Sequence, residues 1–160
     1  MDMKKEIAGA LRKLEYGVYV VTMGKGSSGN AFTASWVSQV SSEPPLVALA
    51  VHDKHQSSRL IGSHGAFVVN FIAQNHADVA KTYYGPAESG YEKLKDSSVQ
   101  DSPVTGTAML NGADGYLECR IVSTVPTGNH TLYIGEVVSG QIRPDTQILT
   151  TSASKLHYAG

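Results

Sequence analysis

YLECRIVSTVPTGNHTLYIGEVV, residues 116–138, is the strongest β-sheet pattern in the sequence. Apolar and polar side chains alternate on both sides of PTGN, residues 126–129, whose composition is typical of a turn. In the first half, Cys119 shares one face with other apolar side chains, while Glu118 and Arg120 share the opposite face. Two alternating segments around a short turn predict a long antiparallel hairpin.

Four stretches upstream of this hairpin are rich in β-branched, aromatic or aliphatic residues. They predict strands over 16–22, 31–40, 46–51 and 66–72. Because hairpin-like strands follow one another without regular helical crossovers, the pattern favours an antiparallel β-barrel over a βαβ sheet. We therefore expect a mainly β fold with flanking helices, in a single domain that spans residues 1–160.

Helices are predicted only at the margins of this barrel. Apolar residues at helical spacing predict an amphipathic helix over 3–14 and a short helix around 57–61. A further helix is expected over 76–84, with Asn75 as its cap. Residues 86–115 are rich in polar residues, glycine and serine, which predicts a loop with a short helix around 91–94.

Composition and charge exclude several classes of protein. The chain has 160 residues, of which 41% are hydrophobic and 17% charged, a globular composition. A net charge of -1 with no basic run argues against nucleic-acid binding. Cys119 is the one cysteine, so no intrachain disulfide can form. With neither a membrane-spanning run nor a signal-peptide pattern, we expect a cytoplasmic protein.

The segment TASWVSQVS, residues 33–41, is the first candidate site. Small residues allow a planar ligand to approach the backbone, and hydroxyl groups can bind phosphate or ribityl oxygens. The candidate ligand contacts are Thr33, Ala34, Ser35, Trp36, Ser38, Gln39, Val40 and Ser41. The alternative is an ordinary exposed strand face that carries serine and threonine.

The segment HDKHQSS, residues 52–58, is the second candidate site, because it joins a predicted buried strand to a short helix. Lys54 and Ser57 would suit a phosphate at the helix N-terminus, and a solvated loop is the alternative. His52 and His55 lack a third ligand nearby, so we expect no metal.

The segment GKGSSG, residues 24–29, matches the glycine pattern of dinucleotide-binding turns. A strand-like sequence follows where that motif needs a helix, which favours a plain hairpin loop.

His130 is the third candidate, at the point where the turn becomes a strand. An imidazole held at that position could pack against a nicotinamide, and the alternative is a turn histidine in water. Cys119 belongs to the apolar face of its strand, which predicts a buried structural thiol.

Together these segments resemble the flavin-reductase-like family, the FMN-binding split barrel, from about Leu11 to Val138. The matching pieces occur in the family's order: LEYGVYVVT (14–22), NAFTASW (30–36), VSSEPPLV (40–47), FVVN (67–70), YLEC (116–119) and GNHT with IGEV (128–131 and 134–137). One departure is Asn129, since the family turn often reads Gly-Asp-His.

The resemblance implies a homodimer with a flavin, FMN or FAD, near the subunit interface. It implies that residues 33–41 line the flavin ring and ribityl chain, and that Lys54 and Ser57 lie near the phosphate. His130 would lie beside the nicotinamide of NAD(P)H, which transfers hydride to the flavin. Electrons would then pass onward, with a redox protein as one possible acceptor. Two alternatives remain open: a flavoprotein electron carrier without NAD(P)H activity, and a non-redox barrel dimer that binds another phosphate ligand.

Overall fold

A computed structural model describes residues 2–84, 94, 98–158 and 160 of the chain. The strands are β1 (Tyr19–Met23), β2 (Asn30–Ala34), β3 (Val37–Ser42), β4 (Pro45–His52), β5 (Ala66–Phe71), β6 (Val99–Asp101), β7 (Ala108–Leu110), β8 (Gly115–Pro126) and β9 (His130–Ile142). The α-helices are α1 (Met3–Leu11), α2 (Gln56–His64), α3 (Ala77–Thr82) and α4 (Thr151–Ser154). Short 3-10 turns occupy Gly26–Ser28 and Gln74–His76.

Seven strands form one antiparallel sheet in the order β2-β1-β5-β8-β9-β4-β3. The two edge strands, β2 and β3, are consecutive in the chain, and only Ser35 and Trp36 separate them. Since such a linker spans at most about 10 Å, the sheet must curl until its edges meet at this seam. The edges do not pair with each other. The prediction of an antiparallel split barrel is therefore confirmed.

The prediction of one continuous strand over 31–40 is wrong. The segment breaks at Ser35 and Trp36, and its halves become the opposite edges of the sheet. Strand propensity acts locally and gave no signal of this break, because the break depends on how the whole sheet closes.

The barrel interior is filled by apolar side chains from nearly every strand of the large sheet. Phe67, Leu49 and Tyr133 belong to this cluster. Gly135 permits the tight packing there, because a Cβ at this position would come within 2.7 Å of the Cys119 Cβ. Cys119 is fully buried, as predicted, and burial raises the pKa of its thiol to about 12. A protonated thiol in this setting is a packing residue.

The predicted hairpin is confirmed as β8 and β9, which pair along their whole length. Within it, Arg120 is exposed but Glu118 is fully buried. The loop that precedes β7 covers Glu118. Ser102 donates its hydroxyl to the carboxylate at 2.7 Å, and the Val104 and Thr105 backbone N–H groups also donate to it.

The smaller elements differ from expectation in three places. Residues 98–115, predicted as loop, contain the β6–β7 ribbon. Helix α3 begins at Ala77 after a 3-10 turn, so the prediction that Asn75 caps it is wrong. The short helix expected around 91–94 lies outside the described residues except for Leu94, which is buried.

Helix α1 is shorter than predicted, and none of its residues is buried. Within the part of the chain that the structure describes, no helix is long and apolar enough to cross a membrane. The cytoplasmic location stays a prediction.

Candidate functional site

A cavity of about 300 Å³ lies at the seam of the barrel. One wall is Phe32–Trp36, which ends β2 and crosses the seam, and the other wall is Ala50–His52 at the end of β4. The remaining lining residues are His55, Tyr83, Tyr84 and Tyr158. Its volume falls at the lower end of the roughly 300–1,000 Å³ typical of small-molecule sites.

Unpartnered polar atoms concentrate around this cavity. Among the described residues, three buried side-chain atoms lack a hydrogen-bond partner: Asn30 Oδ1, Ser35 Oγ and Trp36 Nε1. Ser35 and Trp36 line the cavity directly. A buried polar atom without a partner costs roughly 1–3 kcal/mol, which proteins normally avoid. Two such atoms in the wall of one cavity indicate a place prepared for polar ligand atoms.

The structure divides the predicted segment 33–41 into two parts. Thr33, Ala34, Ser35 and Trp36 line the seam cavity, whereas Ser38 and Gln39 line a second cavity of about 310 Å³ with mostly apolar walls. The hydroxyl of Thr33 donates to the Ala80 carbonyl, so it ties β2 to α3.

Two polar side chains of β3 bond within the strand. Ser38 Oγ donates to the Gln39 carbonyl, and Gln39 Nε2 donates to the Ser41 carbonyl. Val40 is exposed and Ser41 is half-buried. Neither of these two lines the seam cavity. The first half of the predicted segment is therefore the half that forms the cavity.

The second predicted segment forms the loop and first turn between β4 and α2. Ser57 is buried, and its Oγ accepts from Asn30 Nδ2 at 3.1 Å. Lys54 is exposed and does not line the cavity, but His55, next to it in the chain, does. The loop is anchored to β9, because Thr131 Oγ1 donates to Asp53 Oδ1 at 2.7 Å. The α2 N-terminus and the orphaned Asn30 oxygen therefore lie together.

His130 is only 4% exposed at the start of β9. Its Nδ1 donates to Asn129 Oδ1 at 2.7 Å, which leaves Nε2 to accept from the Tyr158 hydroxyl at 2.8 Å. Burial, together with the neighbouring His52, lowers the pKa of His130, so the ring is neutral at pH 7. Its ring centroid lies 4.8 Å from that of Trp36. The imidazole is thus held rigidly, with Tyr158 over its exposed edge.

Two histidines near the seam lie close together. His52 and His130 face each other with ring centroids 5.0 Å apart, and His52 Nδ1 accepts from the Lys54 backbone N–H. Across the described ranges, no group of three His, Cys, Asp or Glu side chains is placed to hold a metal ion.

Sequence reasoning missed Asn30, His55 and the three lining tyrosines, Tyr83, Tyr84 and Tyr158. Asn30 and His55 stand within or next to segments that were singled out, so their neighbourhood was a usable signal. Tyr158 lies far along the chain from Trp36 and His130, and no local pattern connects them.

Comparison with known proteins agrees with this architecture. The sequence profile of the flavin reductase like domain matches residues 11–160. An NADH:FMN oxidoreductase of Rhodococcus qingshengii is 28% identical over 151 residues, which cover 94% of this chain and 76% of that protein. The NADH:FAD oxidoreductase of Streptomyces globisporus has a TM-score of 0.83 at 22% identity, over 99% of this chain and 95% of that one.

A third similarity is to the flavin reductase component of a bacterial two-component tryptophan halogenase. Its TM-score is 0.82 at 24% identity, over 94% of each chain. At such identities the solved structures establish the fold alone. The profile match spans nearly the whole chain, so this protein belongs to the flavin reductase like domain family.

Proposed function

We propose that this chain is a flavin-dependent oxidoreductase, a single domain over residues 1–160 that binds FMN, or alternatively FAD, and reduces it with NAD(P)H in the cytoplasm. The observation that carries the proposal is the seam cavity with its unpartnered Ser35 Oγ and Trp36 Nε1. Family membership and similarity to a protein named NADH:FMN oxidoreductase support it.

The residues present fit a flavin. Ala34, Ser35 and Ala50 are small, so a flat ring can approach the backbone closely. The Trp36 indole N–H can only donate, whereas the Ser35 hydroxyl can donate and accept. When bound, the flavin would accept hydride from the nicotinamide and pass the electrons to an acceptor, for which a redox protein is our candidate. Donors fixed at the flavin edge stabilise the charge that develops there.

A phosphate would be held at the other end of the site. The first turn of α2 contains the buried Ser57, and Lys54 is exposed in the loop before it. A helix N-terminus and a nearby ammonium group both favour a phosphate. The assignment of Lys54 and Ser57 therefore remains our proposal.

One observation favours an electron carrier as the second candidate. Tyr158 lies against His130, the residue we assign to the nicotinamide, and closes its edge. If that closure were permanent, the flavin would still be held by Ser35 and Trp36 while NAD(P)H could not reach it.

The proposed function is tested by the visible spectrum and by turnover. We expect the purified protein to bind about one flavin per chain, either as isolated or after FMN is added, and to oxidise NADH or NADPH in the presence of FMN. Protein that fails to quench FMN fluorescence even at high micromolar concentrations would refute flavin binding. Binding without NAD(P)H oxidation would leave the carrier.

Lys54→Ala is expected to weaken FMN binding about tenfold and riboflavin binding hardly at all. A charge-assisted hydrogen bond to phosphate is worth about 1.5 kcal/mol at an exposed position, and riboflavin has no phosphate. Fluorescence titration of both ligands measures the difference. Lys13→Ala, which removes an exposed lysine elsewhere, is the matched control. Equal losses of affinity for FMN and riboflavin would contradict the assignment of Lys54 to the phosphate.

We also propose a homodimer. Helix α1 exposes Met3, Ile7 and Leu11, with exposed fractions of 73%, 54% and 58%. A nine-residue helix with no buried face is marginal alone, so a second copy of the chain would stabilise it. Light scattering should give twice the 17.0 kDa chain mass, and Leu11→Glu should lower it. A monomer mass for the flavin-loaded wild type at micromolar concentration would contradict the dimer.

A further inference from the structure

The segment Leu156–Tyr158 brings one side chain to the seam cavity. Tyr158 lines that cavity, and its hydroxyl bonds to His130 Nε2 at 2.8 Å. Its ring centroid lies 4.8 Å from that of Trp36, with the planes at 71°. A tyrosine from one end of the chain therefore satisfies the free nitrogen of His130 and covers the edge of Trp36.

The ring of Tyr158 has the character of a ligand occupying a site. It is planar and aromatic, it packs edge-on against two rings, and it donates one hydrogen bond to the neutral imidazole. Burial raises the pKa of its phenol, so the hydroxyl stays protonated and remains a donor. A nicotinamide also combines a planar ring with N–H donors, which belong to its carboxamide group.

The attachment of this segment is weak compared with that of the barrel. Residues 155–158 belong to no helix or strand. Leu156 packs against the outer apolar cluster, and the His157 carbonyl accepts from the Tyr84 hydroxyl at 3.1 Å. Segments with few backbone hydrogen bonds open at far lower free energy than core strands do. Tyr158 can therefore leave without disturbing the sheet.

We propose that Leu156–Tyr158 is a gate, in which Tyr158 occupies the place beside His130 and Trp36 that the nicotinamide ring takes. The gate rests on the proposed function, since it presumes that NAD(P)H reacts at this cavity. Opening frees His130 Nε2 as an acceptor and uncovers the Trp36 edge. The apparent affinity for the nicotinamide is reduced by the fraction of molecules in which the gate is closed.

The test compares Tyr158→Ala, which removes the gate ring, with Tyr158→Phe, which removes only the hydroxyl. NAD+, which cannot reduce the flavin, is titrated into the FMN-loaded proteins, and FMN affinity is measured separately. We expect Tyr158→Ala to bind NAD+ about tenfold more tightly than the wild type, with Tyr158→Phe in between, when each protein is saturated with FMN. His157→Ala, at the neighbouring exposed residue, should behave as the wild type.

A measurement without flavin tests whether Tyr158 occupies the closed position. Trp36 is the one tryptophan of the chain, so the tryptophan emission reports on the surroundings of this side chain, which include Tyr158. Removing the tyrosine ring should shift the emission of the flavin-free protein to longer wavelength, and His157→Ala should not. No shift would overturn the closed gate.

The binding outcomes separate the two proposals. Weaker NAD+ binding by Tyr158→Ala would make Tyr158 part of the nicotinamide site, and unchanged binding would make it a bystander; either overturns the gate while the flavin function stands. If neither protein binds FMN, the proposed function fails and the gate fails with it.

Discussion

Glu118→Gln is expected to lower the free energy of unfolding by about 3 kcal/mol. The carboxylate is fully buried and accepts hydrogen bonds from Ser102, Val104 and Thr105. An amide of the same size points an N–H group at these donors, so at least one of them loses its acceptor. Hydrogen bonds to charged groups contribute roughly 1.5–3 kcal/mol, and an orphaned buried donor adds to the loss. Urea unfolding monitored by Trp36 fluorescence measures the difference.

Glu43→Gln is the matched control, because it removes the same charge from an exposed turn. Its effect should stay within about 0.5 kcal/mol. If both variants lose equal stability, the buried hydrogen bonds of Glu118 are not the cause.

Lowering the pH should narrow the difference in free energy of unfolding between the wild type and Glu118→Gln. Burial alone would raise the pKa of Glu118, but the hydrogen bonds from Thr105, Ser102 and Val104 outweigh it, so the pKa lies below its usual value. A lowered folded-state pKa adds stability above the unfolded-state pKa and loses it as pH falls through the folded value. The difference in free energy of unfolding should therefore be largest at neutral pH and should shrink at acid pH.

The burial of Glu118 is a feature that the sequence pattern could not predict. The alternation of β8 was predictable from its own residues, and so were the hairpin and the buried strand β4, because side-chain period and apolar runs are local signals. The burial of Glu118 depends on the loop around Ser102 folding over it. That contact joins residues 16 positions apart, and the local sequence of neither segment predicts it.

The candidate site also has a part that local sequence indicates and a part that depends on the folded sheet. Ser35 and Trp36, candidate ligand contacts because they stand in a segment of small and polar side chains, line the seam cavity, and their contact with a flavin stays a prediction. The break that places them at the seam is a property of sheet closure, as is the separation of Ser38 from the cavity. Tyr158 reaches His130 only in the folded chain.

His130→Ala is expected to slow flavin reduction by NAD(P)H about 10- to 100-fold, with flavin affinity nearly unchanged. His130 is held by Asn129 and packs on Trp36, so it offers a fixed surface and one acceptor nitrogen beside the cavity. Misplacing two reacting rings by about 1 Å can cost up to 10²-fold. Hydride passes directly between the rings, so the loss reflects positioning and not proton transfer.

Stopped-flow bleaching of the flavin absorbance measures this rate, and reduction by dithionite, which needs no nicotinamide site, should be equal in both proteins. His157→Ala is the matched histidine control. Because His130→Ala also removes the bond that holds Tyr158, the double variant with Tyr158→Ala separates the two effects. If the gate were the sole role of His130, the single variant would be reduced faster than the wild type. A positioning role instead requires both the single and the double variant to be slower than Tyr158→Ala alone.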